Sequence, residues 1–268
     1  MKTRISVYDR GFLYGDGLFE TMRCYSGKVF KLDEHLSRLI RSARILSIKI
    51  PYSKAALERL IRRAIKLKHL KSAYVRLTVT RGEGAFNFKV KNCPEPNVVI
   101  IVKRYVALPC EFYTGGIRAK ISGIRQNEYS PLAGIKSLSF LNHILARIDA
   151  QDSGFDEAIL MNTKGDVAEA ATSNIFLVKR GALITPSPDS GILPGITRGV
   201  VIQIAAKLGI KVTARPVAPK EVTRADEVFL TNSSAEILPV VKVDRSKIGG
   251  GVPGEITKLL HAHYRKMI

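Results

Sequence analysis

Cysteine is scarce in this sequence. Cys24, Cys93 and Cys110 stand far apart and are odd in number, which fits neither a disulfide framework nor the paired spacing of a zinc site and leaves no metal expected. Isolated cysteines suit a reducing cytoplasm, and a cytoplasmic location is the expectation. No apolar run reaches the roughly 18 residues that a membrane span needs. The opening stretch "MKTRISVYDRGFLYGDG" also lacks the apolar core of an export signal, so no membrane partner is expected. There is no internal repeat and no low-complexity tract. Acidic residues are few, 23 Asp+Glu against 43 Lys+Arg, for a formal net charge of +20. Alone, that charge points to a polyanion. Yet the basic residues are spread along the chain. In the densest group, "RLIRRAIKLKHLK" (Arg59–Lys71), Leu60, Ile61, Ala64 and Ile65 recur at helical spacing, so the charges form a solvated outer face. No nucleic-acid-binding motif accompanies them, and nucleic acid is not an expected partner.

What remains is an ordinary globular composition, 46% hydrophobic and 25% charged over 268 residues. That length allows two modest domains with a sizeable core. Asp33 is placed to cap a helix over "EHLSRLIRSARIL", and Ser53 to cap the next one after the break at Pro51. Extended runs follow at Ala73–Thr80 and Asn97–Val106. "ALPCEFYTGG" (107–116), with Pro109 and paired glycines, reads as a linker. Beyond it come a strand at Ile117–Ile124, a helix at Leu138–Ala150 and a meander of short strands from Glu157 to Thr185. A helix from about Ile196 to Gly209, strands near Lys211–Ala214 and Glu227–Thr231, and a last helix from about Glu255 complete the order. Helices and strands are mixed in both halves. The expected fold is therefore α+β in two domains, a small one over 1–106 and a larger one over 117–268, with a cleft between them as the site.

Four stretches carry chemistry. In "SPLAGIKSLSFLNHILAR" (Ser130–Arg147), Lys136 stands among Leu132, Ile135, Leu138 and Phe140. It is either a lysine whose stem lies on apolar surface or an amine in a partly dehydrated site, where it gains nucleophilicity toward an aldehyde. In "GDVAEAATSNIFLV" (Gly165–Val178), Glu169 has no basic neighbour in sequence. It is a surface-turn carboxylate, or, if buried, it needs a cationic partner such as a protonated pyridine nitrogen. In "DSGILPGITRGVV" (Asp189–Val201), Pro194 fits the first turn of a helix, Gly195 permits close approach and Thr197 adds a hydroxyl. Such a helix start would bind phosphate. "FLTNSSAEILPV" (Phe229–Val240) is a strand running into a hydroxyl-rich turn suited to anionic oxygens. A lysine, an acid, a phosphate-binding helix end and an oxyanion-binding turn together match pyridoxal 5'-phosphate.

These stretches, with "DRGFLYGDGLFETMR" (Asp9–Arg23), "HLSRLIRSA" (His35–Ala43) and "GVPGEITKLL" (Gly251–Leu260), resemble the class IV, fold type IV pyridoxal-phosphate enzymes over nearly the whole chain. That family comprises branched-chain aminotransferases, D-amino-acid aminotransferases and aminodeoxychorismate lyase. The resemblance implies that Lys136 is the catalytic lysine and holds the cofactor's aldehyde, and that Glu169 faces the ring nitrogen. It further implies that Arg38, Ile196, Thr197 and Ser233 hold the phosphate while Leu193 packs near the ring. Phe19, Tyr74, Arg76, Ser234 and Ala235 are implied on the substrate side. Homodimers or larger assemblies are implied as well. Phe140 or Leu141 stands where many members carry a tyrosine bonded to the cofactor's 3'-oxygen. "SAYVRL" (Ser72–Leu77) and the "SSAE" turn are similar to the branched-chain group, whereas "TVTRGEG" and "SPLAGIKSLSF" are similar to D-amino-acid aminotransferases and the lyase. The expected activity is amino-group exchange between an apolar L-amino acid and a 2-oxo acid such as 2-oxoglutarate. The lyase and the D-specific aminotransferase stand as alternatives within the family. A polyanion-binding protein that merely keeps the fold stands as the alternative outside it.

Overall fold

The computed structural model describes residues 4–90, 93 and 95–268, so the first three residues of the N-terminal reading lie outside it. The chain divides into two compact units, Met1–Val106 with Ile135–Phe140, and Ala107–Gly134 with Leu141–Ile268.

The first unit contains α1 (Arg10–Tyr14), β1 (Gly17–Tyr25), β2 (Lys28–Val29), α2 (Leu32–Ile45), α3 (Lys54–Leu67), β3 (Ala73–Thr80) and β4 (Val98–Arg104). Its antiparallel sheet has the order β2-β1-β3-β4. The alternation of "AYVRLTVT" puts Ala73, Val75, Leu77 and Val79 on one face, where α2 and α3 cover them with Leu36, Leu39, Leu57 and Ile61. Ser53 caps α3, its hydroxyl accepting from the Ala56 N–H at 3.2 Å. Asp33 does not cap α2. Lys31 makes the break in a left-handed conformation (φ 54°), so the helix already starts at Leu32 and Asp33 falls in its first turn, paired with Lys54. There its charge still opposes the positive end of the helix dipole. The short helix α1 has no apolar period to announce it. It is held by the buried Asp9, whose carboxylate accepts from the Gly11 N–H (2.7 Å), Thr80 Oγ1 (2.6 Å) and Asn97 Nδ2 (2.7 Å).

Glu20, on β1, lies beneath α2 and is 1% exposed. Arg38 grips it with two parallel bonds, Nε to Oε1 at 2.8 Å and Nη2 to Oε2 at 2.7 Å, and His35 Nδ1 lies 2.7 Å from Oε2. Burial alone would raise this carboxyl, but the charge and hydrogen bonds of Arg38, then those of His35, outweigh it and hold the pKa at about 2. The folded value lies below the ordinary 4.5, so the stabilisation is complete above pH 4.5 and is lost as pH falls from there toward 2. The linked loss is about 3 kcal/mol. Glu20→Gln should therefore flatten the acid limb of a stability-against-pH curve over that window. It should also cost about 3–5 kcal/mol at neutral pH by removing the buried charge that pairs with Arg38. An unchanged acid limb would show that the ion pair contributes nothing to acid sensitivity.

The second unit runs α4 (Glu111–Thr114), β5 (Ile117–Gln126), α5 (Leu141–Asp152), β6 (Glu157–Asn162), β7 (Val167–Ala170), β8 (Asn174–Lys179) and β9 (Ala182–Thr185). It continues through α6 (Ile196–Lys207), β10 (Val212–Ala214), α7 (Pro219–Thr223), β11 (Glu227–Asn232), β12 (Glu236–Val243), β13 (Ser246–Lys247) and α8 (Glu255–Arg265). A nine-stranded mixed sheet has the order β10-β9-β8-β11-β12-β5-β6-β7, with β13 on β12. The stretch read as a linker carries α4, and its Leu108, Phe112 and Tyr113 pack on this unit's core. The helix expected from Leu138 begins at Leu141, because the Leu138 N–H is already committed to the Gly17 carbonyl at 2.9 Å. The three cysteines are free thiols. Among the described residues no helix is long and apolar enough to cross a membrane.

Candidate active site

In the first unit the sheet face turned away from the helices carries the relevant side chains. Directly opposed residues of an antiparallel pair share a face. The register Phe19↔Thr78, Thr21↔Arg76 and Arg23↔Tyr74 therefore sets Phe19, Thr21, Tyr74, Arg76 and Thr78 side by side. Lys136 joins them through its backbone. Its carbonyl accepts the Phe19 N–H at 3.0 Å, and Ser137 bridges to Leu18. The half-buried Lys136 amine lies 4.5 Å from the centre of the Phe19 ring and 5.4 Å from that of Phe140. The two rings meet edge to face at 5.6 Å. The Arg76 guanidinium rests on Phe19 at 3.9 Å and its Nε donates to Thr78 Oγ1, while Tyr74 OH meets Thr21 Oγ1 at 3.3 Å. Lys136, Phe19, Tyr74 and Arg76 are thus gathered on one face. Arg38 is not with them. It stands on α2, on the helix-covered side, with its Nε and Nη2 engaged by Glu20.

In the second unit the centre is Glu169 on β7, 7% exposed. Its Oε2 accepts from the Leu193 N–H and from Asn174 Nδ2, both at 3.1 Å, and its Oε1 lies 3.8 Å from His143 Nε2 on α5. Asn174, on β8, also donates to the Leu193 carbonyl at 2.8 Å. One side chain thereby fixes both the acid and the chain entering α6. Nearby Arg198 is held below its ordinary basicity by burial, with the charge of Glu169 acting in the opposite sense. Pro194 does not enter the helix. Gly195 is the N-cap, α6 starts at Ile196, and no side chain caps it. A Cβ at Gly195 would overlap the Asn174 side-chain oxygen, so glycine is required here by close approach rather than by its backbone angles. Between β11 and β12 the 233–235 turn leads into Glu236, which is buried in a left-handed conformation (φ 60°) and gripped by His261 (2.9 Å) and Arg265 (2.7 Å) from α8. Leu193, Ile196, Thr197, Ser233, Ser234 and Ala235 all belong to this unit, with Thr197 and Ala235 buried.

With this geometry in view, the family model for amino-transferase class IV matches residues 17–243. The chain belongs to the class IV aminotransferases. It is an enzyme that transfers amino groups and depends on pyridoxal 5'-phosphate, and its α+β architecture is fold type IV. A Methanocaldococcus jannaschii protein, provisionally named a branched-chain-amino-acid aminotransferase, is 41% identical to this class IV aminotransferase over 98% of the chain and 90% of its own length. The solved branched-chain amino acid aminotransferase of Escherichia coli superposes with a TM-score of 0.95 at 31% identity, covering 98% of this chain and 89% of that one. The solved 4-amino-4-deoxychorismate lyase of Pseudomonas aeruginosa does so with a TM-score of 0.90 at 32% identity, covering 99% and 96%.

The residues of this class IV aminotransferase suit the cofactor's chemistry. An α6 start without a side-chain cap leaves backbone N–H groups for a phosphate. Thr231 Oγ1 is fully buried without a hydrogen-bond partner among the described residues. It lies directly across from Asn174 in the β11–β8 register, on the face that carries the Glu169 contacts. A buried hydroxyl of this kind calls for a polar ligand. Glu169 is steadied by neutral donors on one oxygen, and its negative charge suits a protonated ring nitrogen. Reading the sequence alone missed Glu20, His143, Asn174, Thr231 and Asn232. Glu20 carried a usable signal, an acid inside the apolar run of a strand. Asn174 carried a weaker one, a carboxamide opening "NIFLV".

Proposed function

We propose that this enzyme exchanges an amino group between an apolar, branched-chain L-amino acid and a 2-oxo acid such as 2-oxoglutarate. The observation that carries the reading is the likeness to branched-chain aminotransferases over nearly the whole chain, at 41% identity in the Methanocaldococcus jannaschii relative. It is supported by the aromatic face of Phe19 and Phe140 beside the Lys136 amine, a surface suited to an aliphatic side chain. In this reading Lys136 holds the cofactor's aldehyde. Ile196, Thr197 and Ser233 hold its phosphate together with Arg38, which keeps its two bonds to Glu20, Leu193 packs near the ring, and Glu169 keeps the ring nitrogen protonated. Bound pyridoxal phosphate supplies the electron sink that makes the amino acid's Cα–H acidic. The Lys136 amine serves as the base that takes the proton from the substrate's Cα and as the acid that gives it up again. The N–H groups of Ser234 and Ala235 orient the substrate carboxylate, and Phe19, Tyr74 and Arg76 line the substrate side.

The reading places the enzyme in the cytoplasm as a homodimer or larger. Leu141, Ile144, Leu145 and Ile148 form an exposed apolar stripe along α5, and a second copy of the chain would cover it. The test is a spectral one. Adding L-leucine, L-valine or L-isoleucine to the yellow enzyme should bleach its cofactor band, and 2-oxoglutarate should restore it. D-alanine should leave the band unchanged. Bleaching by D-alanine alone, or pyruvate release from aminodeoxychorismate without amino-group exchange, would replace this reading with one of the family's other activities.

A further inference from the structure

Two backbone donors in the second unit already have an acceptor. The N–H groups of Ser234 and Ala235 both point at Asn232 Oδ1, at 2.8 and 2.6 Å. The other end of that carboxamide donates to Ser173 Oγ at 2.8 Å. Two converging N–H donors require an oxygen, so the orientation of the amide is fixed by its partners. The proposed function assigns this same N–H pair to the substrate's carboxylate, and the inference rests on that reading. We infer that Asn232 is a specificity-determining residue, its carboxamide oxygen standing in for a carboxylate oxygen and yielding the N–H pair only to an anionic group.

The physical basis is competition for shared donors. An N–H cannot serve two acceptors at full strength, so an entering substrate must displace Oδ1. A carboxylate does so because a charge-assisted hydrogen bond is roughly twice as strong as a neutral one. A neutral amide or ester offers nothing better than the acceptor already in place. When Oδ1 is displaced, the Asn232 Nδ2 bond to Ser173 gives the side chain a second anchor. Meanwhile the resident oxygen keeps both N–H groups aligned before substrate arrives. The arrangement sacrifices some affinity for every ligand and rejects those without a carboxylate.

The test uses the cofactor-loaded enzyme and two unreactive probes, 4-methylpentanoate and its amide, with binding followed through the cofactor absorbance. Native enzyme should bind the acid and ignore the amide. Asn232→Gly frees the donors and should tighten binding of the acid by about tenfold, with the amide becoming measurable. Asn232→Asp keeps the shape and both N–H contacts but sets a like charge at the site, so binding of the acid should weaken by more than about tenfold. Weaker or unchanged binding in Asn232→Gly, or native affinity in Asn232→Asp, would overturn the role of Asn232 while leaving the proposed function standing. No binding of the acid by native enzyme would remove both.

Discussion

Replacing Lys136 by alanine should reduce amino-group transfer by at least about 10⁴-fold, because the proposed function gives that one side chain two duties. General acid–base groups contribute roughly 10²–10⁴ on their own, and in the proposed function the same amine also holds the aldehyde. The fold should survive the change. The neighbourhood of position 136 is secured by main-chain bonds, the Phe19 N–H to the Lys136 carbonyl and the Leu138 N–H to the Gly17 carbonyl, and these do not depend on the side chain. What is lost structurally is the cation beside the Phe19 and Phe140 rings, worth about 1–2 kcal/mol. A melting curve close to native together with a cofactor band shifted to that of free pyridoxal phosphate is the expected pair of results. Millimolar methylamine should restore part of the activity by supplying an amine in solution. Turnover above one-hundredth of native in a verified variant would remove Lys136 from the reaction.

The second large effect should come from Glu169→Gln, with a fall in turnover of about 10²–10³-fold. Glutamine keeps an oxygen for the Leu193 N–H and Asn174 Nδ2, the two donors that hold Oε2 at 3.1 Å, so the local structure should persist. What disappears is the negative charge that, in the proposed function, keeps the ring nitrogen protonated. The loss should fall on turnover rather than on the KM for the amino acid, since the electron sink is needed in the transition state. The cofactor's absorption maximum should move as well, because its ring nitrogen loses a proton. A threefold or smaller change in turnover, or a change confined to KM, would mean that Glu169 serves only to hold the chain before α6.

Why some of this was readable before the structure and some was not follows from how far apart the partners lie. Ser53 caps α3 and β3 spans Ala73–Thr80 as expected, because a cap and an alternating strand are local patterns. The Asp33 cap failed because a left-handed Lys31 starts α2 early. The helix expected from Leu138 starts three residues later because residues 136–138 are claimed by β1, more than a hundred positions away in sequence. That long-range pairing is also what fixes Lys136 beside Phe19. The apolar neighbours of Lys136 in sequence gave only part of its surroundings, since Phe19 comes from β1. Glu169 has no basic neighbour in sequence, yet His143 reaches it from α5. Pro194 was expected inside α6, but Gly195 caps the helix because Asn174 occupies the space a side chain would need. The 233–235 turn was legible as hydroxyl-rich, but its acceptor, Asn232, was hidden in plain view. Nothing in residue type alone says that a carboxamide folds back on the two N–H groups that follow it.

The covalent attachment proposed at Lys136 has a direct chemical test. Borohydride reduction of the yellow enzyme, followed by digestion and peptide mass mapping, should place a phosphopyridoxyl label on the peptide containing Lys136, at one label per chain. A label on a different lysine, or no label on a fully reconstituted sample, would show that Lys136 does not hold the cofactor.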